Sequence, residues 1–480
     1  MILGIDIGTQ SLKALVLSPD MEVMGEHAIP YRPSFPRAGW AEQDPKLWET
    51  ALGPAVHGAL AAAGRKPDEV KALGFAGQLD GCVAIDGEGV ALHPCLIWMD
   101  RRAGIDGIDA DRVHETCGVV LDATHLAAKI RWLKRNVPEV SGAVKFHVPV
   151  SYMVARVTGE HVIDHATAST SMLYGLTARA YEETLLRAFG VSAGELPVAM
   201  DGAALAGHLT GGGASLLGLR PGIPVAVGTG DDFSSAIGAG LVAPGRFINV
   251  LGTAEVTGAL HHEAVIDPGR LVETHAFMGG HYYIENPGWL SGGALAWFRD
   301  TFGLQDFEQL TRLAGEAPPG ADGVTFFPAL SGAMAPEWIA SARGAFYGLT
   351  PSHGVAHLAR ALLEGLAFAM RDVLDRVTGL GVECQALRIV GGGARSALWT
   401  QIRADLTGLP AETPRHTDTS ALGAALLAAK AAGFADDIGK TVVGLNPVDH
   451  IALPLAQNAE SYENAYQRYR QLFSSLRPLF

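Results

Sequence analysis

The stretch GIDIGTQSLK, residues 4–13, decides how the fold is read. Ile2 to Ile7 is a short apolar run ending in Gly8-Thr9, and Leu12 to Leu17 is a second. Two such runs around a glycine turn predict a β-hairpin. Gly8, Thr9 and Ser11 would offer backbone N–H groups and hydroxyls to an anion seated in the turn. Asp6 points from the first strand toward the same turn. A carboxylate beside a phosphate cradle makes chemical sense when a divalent cation lies between them. Lys13 is placed to neutralise phosphate, or is simply an exposed strand lysine. An ordinary glycine-turn hairpin without a ligand accounts for this segment equally well.

The pattern returns. Arg246 to Leu251 reads as a strand ending in Gly252-Thr253, with Glu255 to Leu260 behind it. The two Gly-Thr turns lie 244 residues apart, about half the chain, and a recurrence at such a period predicts duplication. Only the first copy carries a carboxylate, since Val250 stands where the first half has Asp6. Around these hairpins the chain alternates strands and helices, an α/β pattern. Glu22 to Ala28 reads as a third strand. A helix starts at Asp44-Pro45 and runs toward Ala63, interrupted at Gly53-Pro54. Val70 to Ala76, Cys82 to Ile85 and Leu96 to Met99 read as further strands. After Pro351, residues Leu358, Leu362, Leu366, Ala369 and Val373 mark one face of a long amphipathic helix. Ala386 to Val390 is a strand entering Gly391-Gly392-Gly393. Thr419 to Ala432 is a helix of small residues suited to close packing, and Ser461 to Leu476 is a closing helix.

At 480 residues the chain exceeds one core, and its 48% hydrophobic content excludes intrinsic disorder. Glycine is in excess, 59 residues or about 12% against a usual 7%, with no tract or period to explain it. The balance of 36 basic and 50 acidic residues gives −14, which disfavours nucleic acid and anionic membranes as partners. Cys82, Cys95, Cys117 and Cys384 are too scattered for a disulfide framework or a zinc site. The first ten residues do not resemble a signal peptide, and no apolar stretch reaches membrane-spanning length, so a cytoplasmic protein is expected. The sequence leaves the oligomeric state open, a homodimer included.

Two further motifs sit at strand ends. In VAVGTGDDFSSAIGAG, residues 225–240, Asp231-Asp232 opens a helix after Gly228-Thr229-Gly230. Acids there complement the macrodipole, or one of them is a general base over a bound hydroxyl. In IVGGGARS, residues 389–396, three glycines permit close approach of backbone to a ligand, although many turns look the same.

Together with GWAEQDP (39–45), GFAGQLDG (74–81) and IWMDRR (97–102), these motifs resemble the FGGY carbohydrate kinases, and most of all their xylulokinase branch. The segment from Gly344 to Glu364 fits one family signature throughout. A second fits in part: Lys129, Trp132, Leu133, Arg135 and Asn136 match, whereas Thr124 and Leu126 do not. The resemblance runs from about residue 2 to 430. It implies two RNase H-like domains of the actin/Hsp70/sugar-kinase fold flanking a nucleotide–sugar cleft. Residues 1–241 would form the sugar-binding domain and 242–480 the nucleotide-binding domain. It further implies ATP and Mg²⁺ as cofactors, with Asp231 as catalytic base and Asp6 near the metal. Gly8, Thr9, Ser11, Lys13, Gly252 and Thr253 would hold phosphates. Gly293, Ala296, Gly392, Gly393 and Ala394 would hold the nucleotide, and Gln78, Leu79, Asp80, Trp98 and Asp232 the sugar.

Three departures alter the substrate side. Gln78-Leu79-Asp80 replaces the usual Gln-Met-His, Asp231-Asp232 replaces Asp-Asn, and Ala333-Met334 replaces Glu-Arg. Carried over, Asp80, Asp231 and Asp232 line one pocket and repel, so at least one pKa should rise. Such a pocket suits a neutral ketose or polyol, a pentulose such as D-xylulose first among them, and disfavours a sugar acid. Asp80 also fits a polyol kinase, because glycerol kinases carry a carboxylate there, but behind an arginine where this chain has Leu79. A chaperone-like ATPase of the same fold would lack the acid opposite the γ-phosphate. Trp289 and Trp297 are expected in the core. His261, His262 and His281 are not expected to bind metal. Asp100-Arg101-Arg102 is expected to be an ion pair of the sugar domain.

Overall fold

A computed structural model describes all 480 residues. The opening hairpin pairs β1 (Ile2–Ile7) with β2 (Ser11–Leu17), and Gly8 N donates to Ser11 O at 3.0 Å to close it. β3 (Val23–Pro30) adds to β2, and helix α1 (Pro45–Ala62) follows. Asp44 caps α1 by accepting from Lys46 N at 3.0 Å. The interruption expected at Gly53-Pro54 does not occur, and α1 runs through it. Pro54 and Thr50 are exposed, so the carbonyl that loses its donor can face water.

β4 (Ala72–Gly77) joins β1 in parallel, then β6 (Pro224–Ala226) joins β4, with β5 (Leu205–His208) antiparallel at the edge. The sheet order is β5-β6-β4-β1-β2-β3. Helix α2 (Asp231–Gly238) leads to the second half.

That half repeats the plan. β7 (Gly245–Leu251) and β8 (Ala254–His261) form the second Gly-Thr hairpin, closed by Gly252 N to Ala254 O at 3.0 Å. β9 (Glu273–Ala276) and β10 (Tyr282–Leu290) extend it, followed by helices α3 (Gly292–Thr301) and α4 (Val355–Gly379). β11 (Cys384–Val390) lies parallel to β7, β12 (Ala411–Pro414) parallel to β11, and β13 (Val448–Ala452) antiparallel at the edge. The order β9-β10-β8-β7-β11-β12-β13 contains the same three antiparallel and two parallel strands as the first sheet. The halves share one topology, as the spacing of the two hairpins predicts.

Helix α5 (Ser420–Ala431) belongs to the second half in sequence but packs on β1, β4 and α2. Its seat exists because the facing positions lack side chains. A Cβ on Gly4 would stand 1.9 Å from Ala421 O, and one on Gly74 2.2 Å from Ala424 O. A shared core runs through this contact, joining Ile2, Leu17 and Ala72 to Ile248, Val390 and Leu422. Part of the glycine excess is explained here, by helix packing as well as by turns. No helix is long and apolar enough to cross a membrane.

Two further local expectations need correction. The strand placed at Leu96 to Met99 covers only Cys95–Leu96, because Asp100 N turns back to Ile97 O at 2.9 Å. Trp98 is thereby freed from the strand. Trp297 is 39% exposed on α3, whereas Trp289 is buried as expected.

Candidate active site

The first Gly-Thr turn is held from the acceptor side. Gln43 Nε2 donates to Thr9 O at 2.6 Å, and Trp98 Nε1 to Thr9 Oγ1 at 2.9 Å. Gln43 Oε1 in turn accepts from Trp48 Nε1 at 3.2 Å and Gln78 Nε2 at 2.7 Å. Gln78 is buried, and with its amide N–H committed, its Oε1 has no partner. Gln43 lies within the GWAEQDP motif, yet sequence gave it no role, because its role is a contact to a turn 34 residues away.

Asp231 and Asp232 open α2 at its positive end, without a side-chain N-cap. The turn before them is anchored by the short helix His165–Ser169. Thr229 Oγ1 donates to Asp164 Oδ2 at 2.7 Å, and Gly230 N to Thr167 Oγ1 at 2.8 Å. Leu79 packs where a Gly230 side chain would be. Burial, then the charge of Asp232, pushes Asp231 well above the usual carboxylate range. Burial, then Glu285, Asp80 and Asp6, pushes Asp232 up to about 8. Asp6 rises to about 7 through burial and Asp231.

Asp80 behaves differently from the expected trio. Burial alone would raise it, but His125, Lys129 and Thr170 hold it below its usual value. Its Oδ2 lies 3.3 Å from His125 Nδ1, its Oδ1 accepts from Thr170 Oγ1 at 2.8 Å, and its carbonyl accepts from Lys129 Nζ at 2.5 Å. His125 is raised to about 9 against burial by Asp80 and Glu273. So two of the three pocket carboxylates rise, and the third is neutralised by a cation that sequence reading passed over. The only signal was position: His125 stands between the two mismatched residues of the partial signature.

The second Gly-Thr turn packs on the start of α3. Gly292 N donates to Gly252 O at 3.0 Å and Gly293 N to Thr253 O at 3.1 Å, with Ala296 half-buried one turn on. Beneath it lies a buried ion pair, also unforeseen. Arg403 Nη2 donates to both Glu255 oxygens at 2.8 Å, and Asn249 and Ser291 complete the set. Gly391 takes φ 83°, a left-handed value that favours glycine. Gly391, Gly392 and Arg395 line a cavity of 220 Å³ with Ser235, Val250 and the loop Thr417 to Thr419. Gly392 faces open space. Gly393 instead packs against Leu251 and Trp399, and Ala394 is buried. Lys13, expected at the phosphates, pairs with Asp418 of the second half.

Asp6 Oδ1 is buried without a partner. No group of three ligating side chains exists to cage a metal. One open carboxylate suits Mg²⁺, which is commonly bound through one or two carboxylates plus phosphate oxygens. The expected ion pair is present: Arg102 Nη2 lies 2.7 Å from Asp100, and Nη1 2.7 Å from Glu42.

Comparison with known proteins identifies the family. The model of the FGGY family of carbohydrate kinases, N-terminal domain, matches residues 1–238, and that of the C-terminal domain matches 247–432. A xylulose kinase of Escherichia coli is 31% identical over the whole of both chains. A glycerol kinase of Symbiobacterium thermophilum is 32% identical over 90% of each. Among solved structures, a xyloylose kinase from Brucella ovis superposes with TM-score 0.92 at 30% identity, covering both chains fully. The xylulose kinase of Rhodospirillum rubrum gives 0.89 at 29%, covering 100% of this chain and 99% of that one. The chain belongs to the FGGY family of carbohydrate kinases, phosphotransferases with an alcohol group as acceptor.

Proposed function

We propose that this kinase uses MgATP to phosphorylate the terminal hydroxyl of a neutral pentulose, D-xylulose first among candidates. The observation that carries the reading is the pair Asp231-Asp232 at a helix N-terminus, directly after Thr229-Gly230, which pairs with Ala76-Gly77 just before Gln78, whose Oε1 is buried and unpartnered. Residues 1–241 would bind the sugar and 242–480 the nucleotide, the latter in the 220 Å³ cavity that the second half lines together with Ser235. Asp231 takes the proton of the acceptor hydroxyl as its oxygen attacks the γ-phosphorus in line. The new O–P bond forms, and the bond to the β–γ bridging oxygen breaks with its electron pair leaving on ADP. A Mg²⁺ held by Asp6 and phosphate oxygens would supply charge neutralisation and favour ionised Asp231. Gln78, Asp80, Trp98 and Asp232 orient the acceptor, and the glycine turns fix the phosphates. The reading sets the enzyme in the cytoplasm, where its four free cysteines stay reduced.

A second reading, another ketose or a polyol such as ribulose, erythritol, a pentitol or glycerol, is favoured by the carboxylate at Asp80 and by the glycerol kinase relatives. One ADP-release panel of these acceptors, with gluconate included, decides between them. A sugar acid that outperforms every neutral acceptor overturns both. Asp231→Asn should lower kcat by about 10²–10⁴ while calorimetric binding of MgATP persists. An unchanged kcat refutes the assignment of the base.

A further inference from the structure

The second lobe reaches the acceptor pocket with side chains that the mechanism above does not use. Across β9 and β10, Glu273 opposes Glu285 and His275 opposes Tyr283. Residues two apart on a strand share a face, so all four project to one side of the sheet. That side packs on α2: the Phe233 ring lies 5.5 Å from His275 and 5.8 Å from Tyr283. Phe233 directly follows Asp232, so the same face meets the helix turn bearing Asp231 and Asp232. Glu285 is among the charges that raise both of those acids.

Glu285 is 2% exposed. His275 Nε2 holds its Oε1 at 3.1 Å, while its Oε2 is buried with no partner. His275 Nδ1 and the Tyr283 hydroxyl are likewise buried and unpartnered. Buried polar atoms rarely stay unmatched, and a cluster of them beside a catalytic turn marks places where a ligand supplies the missing groups.

We propose that Glu285 is a specificity-determining residue, whose free Oε2 accepts a hydrogen bond from a hydroxyl of an uncharged polyhydroxyl acceptor. His275 positions it. The pocket built on the first lobe is then completed by the second, and the acceptor touches both. This rests on the kinase reading and adds which residue selects the acceptor. A carboxylate-bearing acceptor would bring a further negative charge beside Glu285, Asp231 and Asp232, whose pKa values burial and neighbouring acids already raise, and this disfavours it.

The test uses the purified full chain with MgATP and five acceptors: xylulose, ribulose, erythritol, glycerol and gluconate. In Glu285→Gln, an amide oxygen kept on His275 leaves an NH₂ where the carboxylate oxygen was. The expected result is an acceptor KM raised about tenfold or more, kcat changed less than threefold, and ATP KM unchanged. Gluconate turnover should rise relative to the best neutral acceptor. Glu285→Asp keeps the charge but shortens its reach, so it should raise KM without helping gluconate. This second variant also serves if the first fails to fold. An active wild type with KM and acceptor ranking unchanged in a folded variant overturns the inference alone. A wild type inactive on every neutral acceptor overturns the kinase reading, and this inference with it.

Discussion

Replacing Gly423 by alanine tests whether close helix packing positions the catalytic acid. Gly423 lies on α5 against α2, and an added Cβ would stand 2.0 Å from Ser234 O and 2.6 Å from Ser234 Oγ. The first of these is backbone and cannot rotate aside. Ordinary contact begins near 3.4 Å, so the helices must part by about 1.4 Å at this point. Asp231 is three residues from Ser234 on the same helix. A misplacement of about 1 Å typically costs 10²-fold in rate, and overpacking costs about 1–3 kcal/mol of stability. Gly423→Ala should therefore lower kcat by about two orders of magnitude and reduce the melting temperature. The assays are ADP release on the best acceptor and thermal denaturation of the same sample. A variant with wild-type melting temperature and kcat within twofold would refute the claim that this contact sets the position of Asp231.

Two further outcomes follow from buried charges. His125, raised to about 9, contributes stability that is complete below about 6.5 and is lost as pH rises through 9. Asp232 and Glu285, raised to about 8, act in the same direction from the ordinary carboxylate range upward. The melting temperature should fall from pH 5 to 9, with His125→Gln flattening the slope above pH 8; a wild-type curve that rises with pH contradicts this. Arg403→Met would leave Glu255 buried without its cation, at a cost of about 3–5 kcal/mol in chemical denaturation. A loss under about 1 kcal/mol would mean that Asn249 and Ser291 suffice for Glu255.

What could be read from sequence was local. Both Gly-Thr hairpins were legible because turn chemistry and flanking apolar runs lie within a dozen residues, and their spacing exposed the repeated topology. Asp231 and Asp232 were legible as a helix start. Pairings across long separations were not. Asp80 takes its charge partner from 45 residues away, so it read as a third repelling acid. Glu273 and Glu285 carried no signal in the sequence, since alternation gives a face but not the lobe it faces. The small residues of α5 announced close packing, but nothing near them named Gly4 and Gly74 as the partners.

That last contact bears on how the chain is made. Every strand of the first sheet has been synthesised once residue 230 is added. The helix that covers the face of β1 and β4 is not complete until residue 431. At typical rates of synthesis the interval is roughly 10–40 s. Throughout it the first lobe has its strands but not its lid of alanines, and an apolar face that ends in the shared core stands open to water. The nascent lobe must stay soluble while waiting for a helix encoded near the far end of its own gene.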